Sequence, residues 1–200
     1  MHLDPIHIAP PDWLGPFLQR WPERFDRTAD AMALAIALAR ENSRRGGGPF
    51  GALVLEGALG ETGGRLVSAG VNRVVPSHCS VAHAEILALS LAQQGIGTYD
   101  LGTLPGGCTL VTSAEPCAMC LGAIPWAGVT RLVCGARDED VRAAGFDEGD
   151  KPADWANGLE RRGIRVIRDC LRNDATAVLA DYVRSGGVIY GPHALGSPRR

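Results

Sequence analysis

Two hundred residues, 46% of them hydrophobic, are enough for one α/β domain with a full core and short extensions. A net charge of −2, with Lys151 the only lysine and the arginines scattered, speaks against a nucleic-acid-binding protein. No apolar run approaches the roughly eighteen residues of a membrane span, and no basic-then-apolar leader follows Met1, so neither a span nor a signal peptide is expected.

Residues 1–25 are rich in proline and aromatics (Pro10, Pro11, Trp13, Pro16, Phe17, Trp21, Pro22) and read as an irregular arm with one helical turn. Its apolar side chains need cover, from the domain itself or from a partner subunit. Asp26 to Arg45 is alanine-rich, with Ala29, Ala33, Ile36, Ala37 and Arg40 at helical spacing. Gly46-Gly47-Gly48-Pro49 stops that helix, or lets the backbone at Phe50 approach a ligand closely. It lacks the Lys-Ser/Thr ending of a phosphate loop and follows a helix rather than a strand.

Ala52–Leu55 and Leu66–Val71 read as a hairpin, with Asn72 at the end of its second strand. A helix is expected from about Val81 to Gln94, then a strand at Cys108–Thr112 and a second helix from about Cys117 to Ala127. Arg131–Cys134 is a further strand. A short helix around Glu139–Ala144 leads into Gly145-Phe146-Asp147-Glu148-Gly149. Ile164–Ile167 is the fifth strand and Asp174–Arg184 the last helix. The apolar Val188-Ile189-Tyr190, after two glycines, suits a tail over residues 186–200 that reaches across a pocket. The alternation of strands and helices predicts a mixed five-stranded sheet with helices on both faces, a three-layer α/β/α domain over residues 26–185.

Chemistry concentrates in two short stretches, His83-Ala84-Glu85 and Pro116-Cys117-Ala118-Met119-Cys120. His83, Cys117 and Cys120 offer three ligands for zinc, which leaves the fourth tetrahedral position for a water, as in a catalytic rather than a structural site. Cys117 and Cys120 stand at i and i+3, on one face of a helix whose first turn suits Pro116. His83 and Glu85 are i and i+2, so they serve one metal only from the first turn of their helix. Two helix N-termini aimed at the ion favour thiolates, and Glu85 is placed to move protons to and from the water. The bland alternative is a structural His2Cys2 site with His78 as fourth ligand, which explains neither Glu85 nor Pro116. Cys79, Cys108, Cys134 and Cys170 read as buried free thiols, as in a reducing cytoplasm.

H-x-E followed by P-C-x-x-C is the signature of zinc-dependent nucleobase deaminases, and over about residues 30–185 the sequence resembles the cytidine deaminase-like superfamily. Asn72-Arg73-Val74, Ala82-His83-Ala84-Glu85-Ile86, Ser113-Ala114-Glu115-Pro116-Cys117 and Ala144-Gly145-Phe146-Asp147-Glu148 further resemble its bacterial guanine deaminase branch, some members of which also accept s-triazines such as ammeline. The resemblance implies hydrolysis of guanine at C2, with one zinc per subunit, and a homodimer that sometimes exchanges its C-terminal segment. It implies that Asn72 and Ala84 contact the base and that Glu148 accepts its N1–H and N2–H2 and shuttles a proton, with Asp147 as the neighbour that could be confused with it. Phe50 and Trp126 are candidates to line the pocket. Glu115 is a candidate to cap the cysteine helix or orient a ligand. The rival readings are a tRNA adenosine deaminase, a cytosine or cytidine deaminase, and a structural-zinc binding module without catalysis.

Overall fold

The computed structural model describes residues 7–191. A short helix α1 (Leu14–Leu18) and strand β1 (Arg24–Phe25) precede the long helix α2 (Thr28–Arg44). Strands β2 (Gly51–Ala58) and β3 (Gly63–Val71) form the hairpin, followed by a single turn α3 (Val74–Ser77) and helix α4 (Ala84–Ile96). Then come β4 (Cys108–Ala114), α5 (Ala118–Trp126), β5 (Arg131–Ala136), α6 (Asp138–Ala143), α7 (Trp155–Glu160), β6 (Arg165–Ile167) and α8 (Arg172–Arg184).

The strands form one mixed sheet in the order β1-β3-β2-β4-β5-β6. β2 runs antiparallel to both β3 and β4, while β4, β5 and β6 are parallel. Alternation along the central strands builds two cores. Leu53, Leu55, Val111 and Val133 join α2 and α8 on one face. Ala52, Val54, Leu110, Leu132 and Cys134 join α4, α5 and α7 on the other. With both faces covered, β4 is buried from end to end, the continuous apolar pattern of a central strand.

The three-layer expectation holds, but the sheet has six strands rather than five. The sixth is β1 in the arm, whose two residues pair with Arg65 and Gly64 of β3. A two-residue strand shows no alternation in the sequence; its existence is decided by Phe25, which is 2% exposed and fills the first core. Leu14 is buried there too, with Trp13, Phe17 and Trp21 packed against it, so the arm's apolar side chains find cover on their own chain. Helix α7 is likewise absent from the periodic pattern. Its sequence holds Asn157 and Gly158, and only Trp155 and Leu159, at i and i+4, turn inward.

Two glycines set how closely the layers approach. A Cβ on Gly51 would collide with Ala35 O and Ala39 N of α2, and one on Gly70 with Ala84 O and Ala88 N of α4. Gly70 therefore fixes the distance between the sheet and the first turn of α4, where His83 and Glu85 sit. Replacing Gly70 with Ala forces backbone against backbone and should cost about 3 kcal/mol of stability. The same variant should lower zinc retention, read by denaturant titration and by metal analysis after dialysis; wild-type values for both would contradict this account.

Candidate metal centre and cavity

The site lies where α4 and α5 begin. His83 is the N-cap of α4 and Cys117 the N-cap of α5, both with extended backbone, so their side chains project ahead of the helices. Pro116 thus stands just before the cap, two positions earlier than a proline at the first helical position. Cys120 follows one turn into α5 and Glu85 is in the first turn of α4. The divergence of an i, i+2 pair is resolved because His83 leaves from the cap.

The nitrogen of His83 and the sulfurs of Cys117 and Cys120 all lie within 4.8 Å of one another. His83 Nδ1 is 3.5 Å from each sulfur. Zinc–nitrogen and zinc–sulfur bonds of about 2.0 and 2.3 Å at a tetrahedral angle place those atoms about 3.5 Å apart, so the histidine nitrogen already stands at the spacing from each sulfur that a zinc ion requires. His78 is exposed, in a left-handed conformation (φ 48°), and is not in this group, so a His2Cys2 set is not assembled.

A cavity of about 740 Å3 opens over the triad, lined among others by Phe50, Asn72, Glu85, Phe146, Glu148 and Tyr190. Asn72 is 1% exposed, and its Oδ1 accepts from Val74 N–H at 3.2 Å. Phe50 packs edge-on against Phe146, at 5.1 Å between centroids. Asp147 and Glu148 part company. Asp147 is exposed and accepts Gly149 N–H at 2.8 Å, a turn-forming contact, whereas Glu148 is buried. Glu148 Oε2 has no hydrogen-bond partner among the described residues.

Two of the residues expected at the substrate lie elsewhere. Trp126 is 87% exposed, at the far end of α5 in a separate surface groove with Leu121 and Pro125. Its helical position, two turns beyond Cys120, carries it away from the N-terminal end where the site is. Ala84 is wholly buried and packs into the second core beneath the site. Glu115 does not cap α5. Its carboxylate accepts from Asp138 N–H at 3.1 Å and pairs with Arg168 at 2.6 Å. Of the four remaining cysteines, all free, Cys108 and Cys134 are buried while Cys79 and Cys170 are only partly so.

Tyr190 was visible in the sequence only as part of an apolar tail. Its ring meets Phe146 edge-on at 5.2 Å and faces His83 at 6.4 Å, and its buried hydroxyl is without a partner among the described residues. The hydroxyl and Asn72 Oδ1 both crowd the position a Cβ on Gly48 would take, at 2.6 and 2.7 Å. The glycine run after α2 therefore makes room for cavity residues. Residues 192–200 of the tail lie outside the described residues.

Burial, then the neighbouring Cys117 charge, push Glu85 up and raise Glu148 to about 8. Hydrogen bonding with Cys120, against burial and aided by His83, brings Cys117 down to about 4, so the pair gives up one proton readily. Two carboxyl groups raised by burial beside a histidine and a cysteine pair that shares one proton suit a hydrolytic centre, in which protons must be both taken and returned.

Residues 26–136 match the family described as the cytidine and deoxycytidylate deaminase zinc-binding region, and the chain belongs to that family. A guanine deaminase from Bacillus subtilis is 39% identical over 127 residues, 60% of this chain and 75% of that protein. Among solved structures, a guanine deaminase from Nitrosomonas europaea is 47% identical, with a TM-score of 0.82, covering 92% of this chain and all of that one. Another similar structure, a mutant protein in complex with 8-azaguanine, is 48% identical with a TM-score of 0.83, covering 90% of this chain and 98% of that one. Among the described residues no helix is long and apolar enough to cross a membrane.

The raised pKa of Glu148 makes a prediction about zinc-free protein. An acid near 4.5 when unfolded and about 8 when folded binds more protons in the folded state between those values, so stability falls as pH rises through that window. The penalty is absent below pH 4.5 and complete above pH 8, at about 1.4 kcal/mol for each pH unit between. Zinc-free Glu148→Gln should therefore melt above zinc-free wild type at pH 8, with the difference closing toward pH 4.5 in thermal scans.

Proposed function

We propose that the protein hydrolyses guanine at C2 to xanthine and ammonia. The observation that carries this reading is Glu148, a buried carboxyl with a free oxygen in the wall of the cavity that holds the metal triad and Glu85. Guanine presents N1–H and N2–H2 side by side, two donors that one carboxylate accepts together. Adenine and cytosine offer a ring acceptor at the corresponding edge, which a carboxylate repels. An empty cavity leaves Glu148 protonated near neutrality, and two donors from the base favour its ionised form, so binding itself frees a proton for the reaction. The exposed Asp147 is left to shape the turn.

A zinc ion held by His83, Cys117 and Cys120, one per chain with water as its fourth ligand, would supply a water acidified toward neutral pH. Glu85 takes a proton from the attacking water and delivers it to the ring nitrogen beside C2. It then moves the remaining hydroxyl proton to the departing amine as C2=O forms, so that water and guanine balance xanthine and ammonia. Burial helps here, since it raises the pKa of Glu85 and makes its carboxylate a stronger proton acceptor than an exposed one. Phe50 and Phe146 supply apolar walls for a planar base, and Asn72 and the Tyr190 hydroxyl are polar groups of the same cavity that can meet its ring edge. An s-triazine such as ammeline carries the same amino-substituted ring carbon between nitrogens and fits the same walls.

A tRNA adenosine deaminase would need an open, basic approach. Here Tyr190 and Phe146 line the cavity with apolar rings and the net charge is −2. We read residues 26–185 as the catalytic domain and the exposed Met119 and Trp126 of the apolar helix α5 as a contact in a homodimer. Free cysteines suit a reducing compartment such as the cytoplasm.

Zinc-loaded protein should release ammonia from guanine and not from adenine, cytosine or cytidine. Glu85→Gln should lower kcat about a thousandfold, and Glu148→Gln should lower kcat/KM by a comparable factor while zinc stays bound. Turnover of cytidine or adenine in place of guanine would leave the metal reading intact and remove the assignment to Glu148. Trp126→Arg should convert the sedimenting species to a monomer; an unchanged species would exclude that face as the dimer contact.

A further inference from the structure

The chain's single lysine is buried beside the metal ligands. The Lys151 side chain is 5% exposed, and its ammonium pairs with Asp138 at 2.9 Å, lies 3.8 Å from Glu115 and sits 5.2 Å above the Trp155 ring. Its remaining contact is a donated hydrogen bond of 3.0 Å to the carbonyl of Pro116. That carbonyl belongs to the peptide that enters Cys117. The peptide that leaves Cys117 is held from the same loop, because Ala118 N–H donates to Glu148 C=O at 2.9 Å. Residues 148 and 151 of one loop thus grip the two peptide units that flank a metal ligand. Gly149 between them has a left-handed φ of 69°, and a Cβ there would press on that of Ala118 at 3.0 Å, so the loops meet with no slack.

We propose that Lys151 is a positioning residue, which registers the Glu148 loop against Cys117 and so sets where the substrate-facing carboxylate stands relative to the metal. This rests on the guanine deaminase reading for its kinetic consequence, though not for its structural one. Lys151 also acts as a charge, lowering the pKa of Asp138 and opposing the rise at Glu148, but it is not the sole partner of the two acids it pairs with. Asp138 retains Arg142 at 2.6 Å and Glu115 retains Arg168 at 2.6 Å without it. A neutral side chain of similar length at position 151 therefore leaves each acid its arginine, though Asp138 Oδ1 loses the ammonium beside it, while it frees the Pro116 carbonyl and loosens the loop. A displacement of about 1 Å at a reacting group is enough to cost about a hundredfold in rate.

The test compares Lys151→Met and Lys151→Ala with wild type, all zinc-loaded. Lys151→Met should keep its zinc and lose at most a few degrees in Tm, while kcat on guanine falls about a hundredfold and the Ala118 amide exchanges markedly faster. Added ethylammonium should restore part of the rate to Lys151→Ala and none to Lys151→Met, in which the site is filled. A kcat that stays at the wild-type value, or falls only as far as zinc content falls, overturns the proposal. If wild type itself leaves guanine untouched, the functional reading fails separately. Ala118 exchange then decides alone: faster exchange in Lys151→Met supports the clamp, and unchanged exchange overturns it.

Discussion

The constraint on which the structure depends is that two helices from different parts of the chain must begin at the same point. His83 caps α4 and Cys117 caps α5, and the cap is the one place on a helix from which a side chain can reach beyond the end. Both helices lie on one face of the sheet, over strands that alternate between two cores. Gly70 allows α4 to settle against β3 with its carbonyls in contact with the strand, so the sheet acts as the ruler from which the metal ligands are placed. Three ligand atoms at the spacing of a tetrahedral ion follow from this, along with helix N-termini that favour thiolates.

Around that fixed point the cavity is assembled from parts with little stiffness of their own. Asn72 comes from the end of β3, Phe146 and Glu148 from the loop after α6, and Tyr190 from beyond α8. Each is secured by local contacts. Tyr182 donates to Val188 O at 2.8 Å to hold the tail, and its ring occupies the space a Cβ on Gly187 would need. The Glu148 loop is bound to the cysteine loop through both peptides beside Cys117. Part of the polar cost falls where chemistry needs it. A carboxyl oxygen and a phenol buried without partners among the described residues carry such a cost, which a ligand with matching donors and acceptors would remove.

The same logic explains why the two acidic neighbours differ. Asp147 satisfies a backbone N–H in its own turn and faces water, while Glu148, one residue later, points into the domain. Burial above all then raises the pKa of Glu148, with the nearby Cys117 charge adding to it. An acid that would be a solvated loop charge one residue earlier becomes a group that titrates near the pH of the reaction.

By itself the sequence determined the grouping of His83, Cys117 and Cys120 and the layered α/β architecture, because ligand spacing and apolar periodicity are local properties that survive without coordinates. It also determined that His83 and Glu85 had to sit at a helix start, since an i, i+2 pair shares a target nowhere else. What the tertiary structure alone decided were matters of long-range packing. β1 exists because Phe25 fills a core built by residues far along the chain, and α7 because Trp155 and Leu159 find one. Trp126 faces outward and Tyr190 inward through the direction in which a helix axis and a tail run, which no spacing rule contains. The pairing of Lys151 with the Pro116 carbonyl spans 35 positions and joins two loops, and loops carry no periodicity from which such a contact could be read.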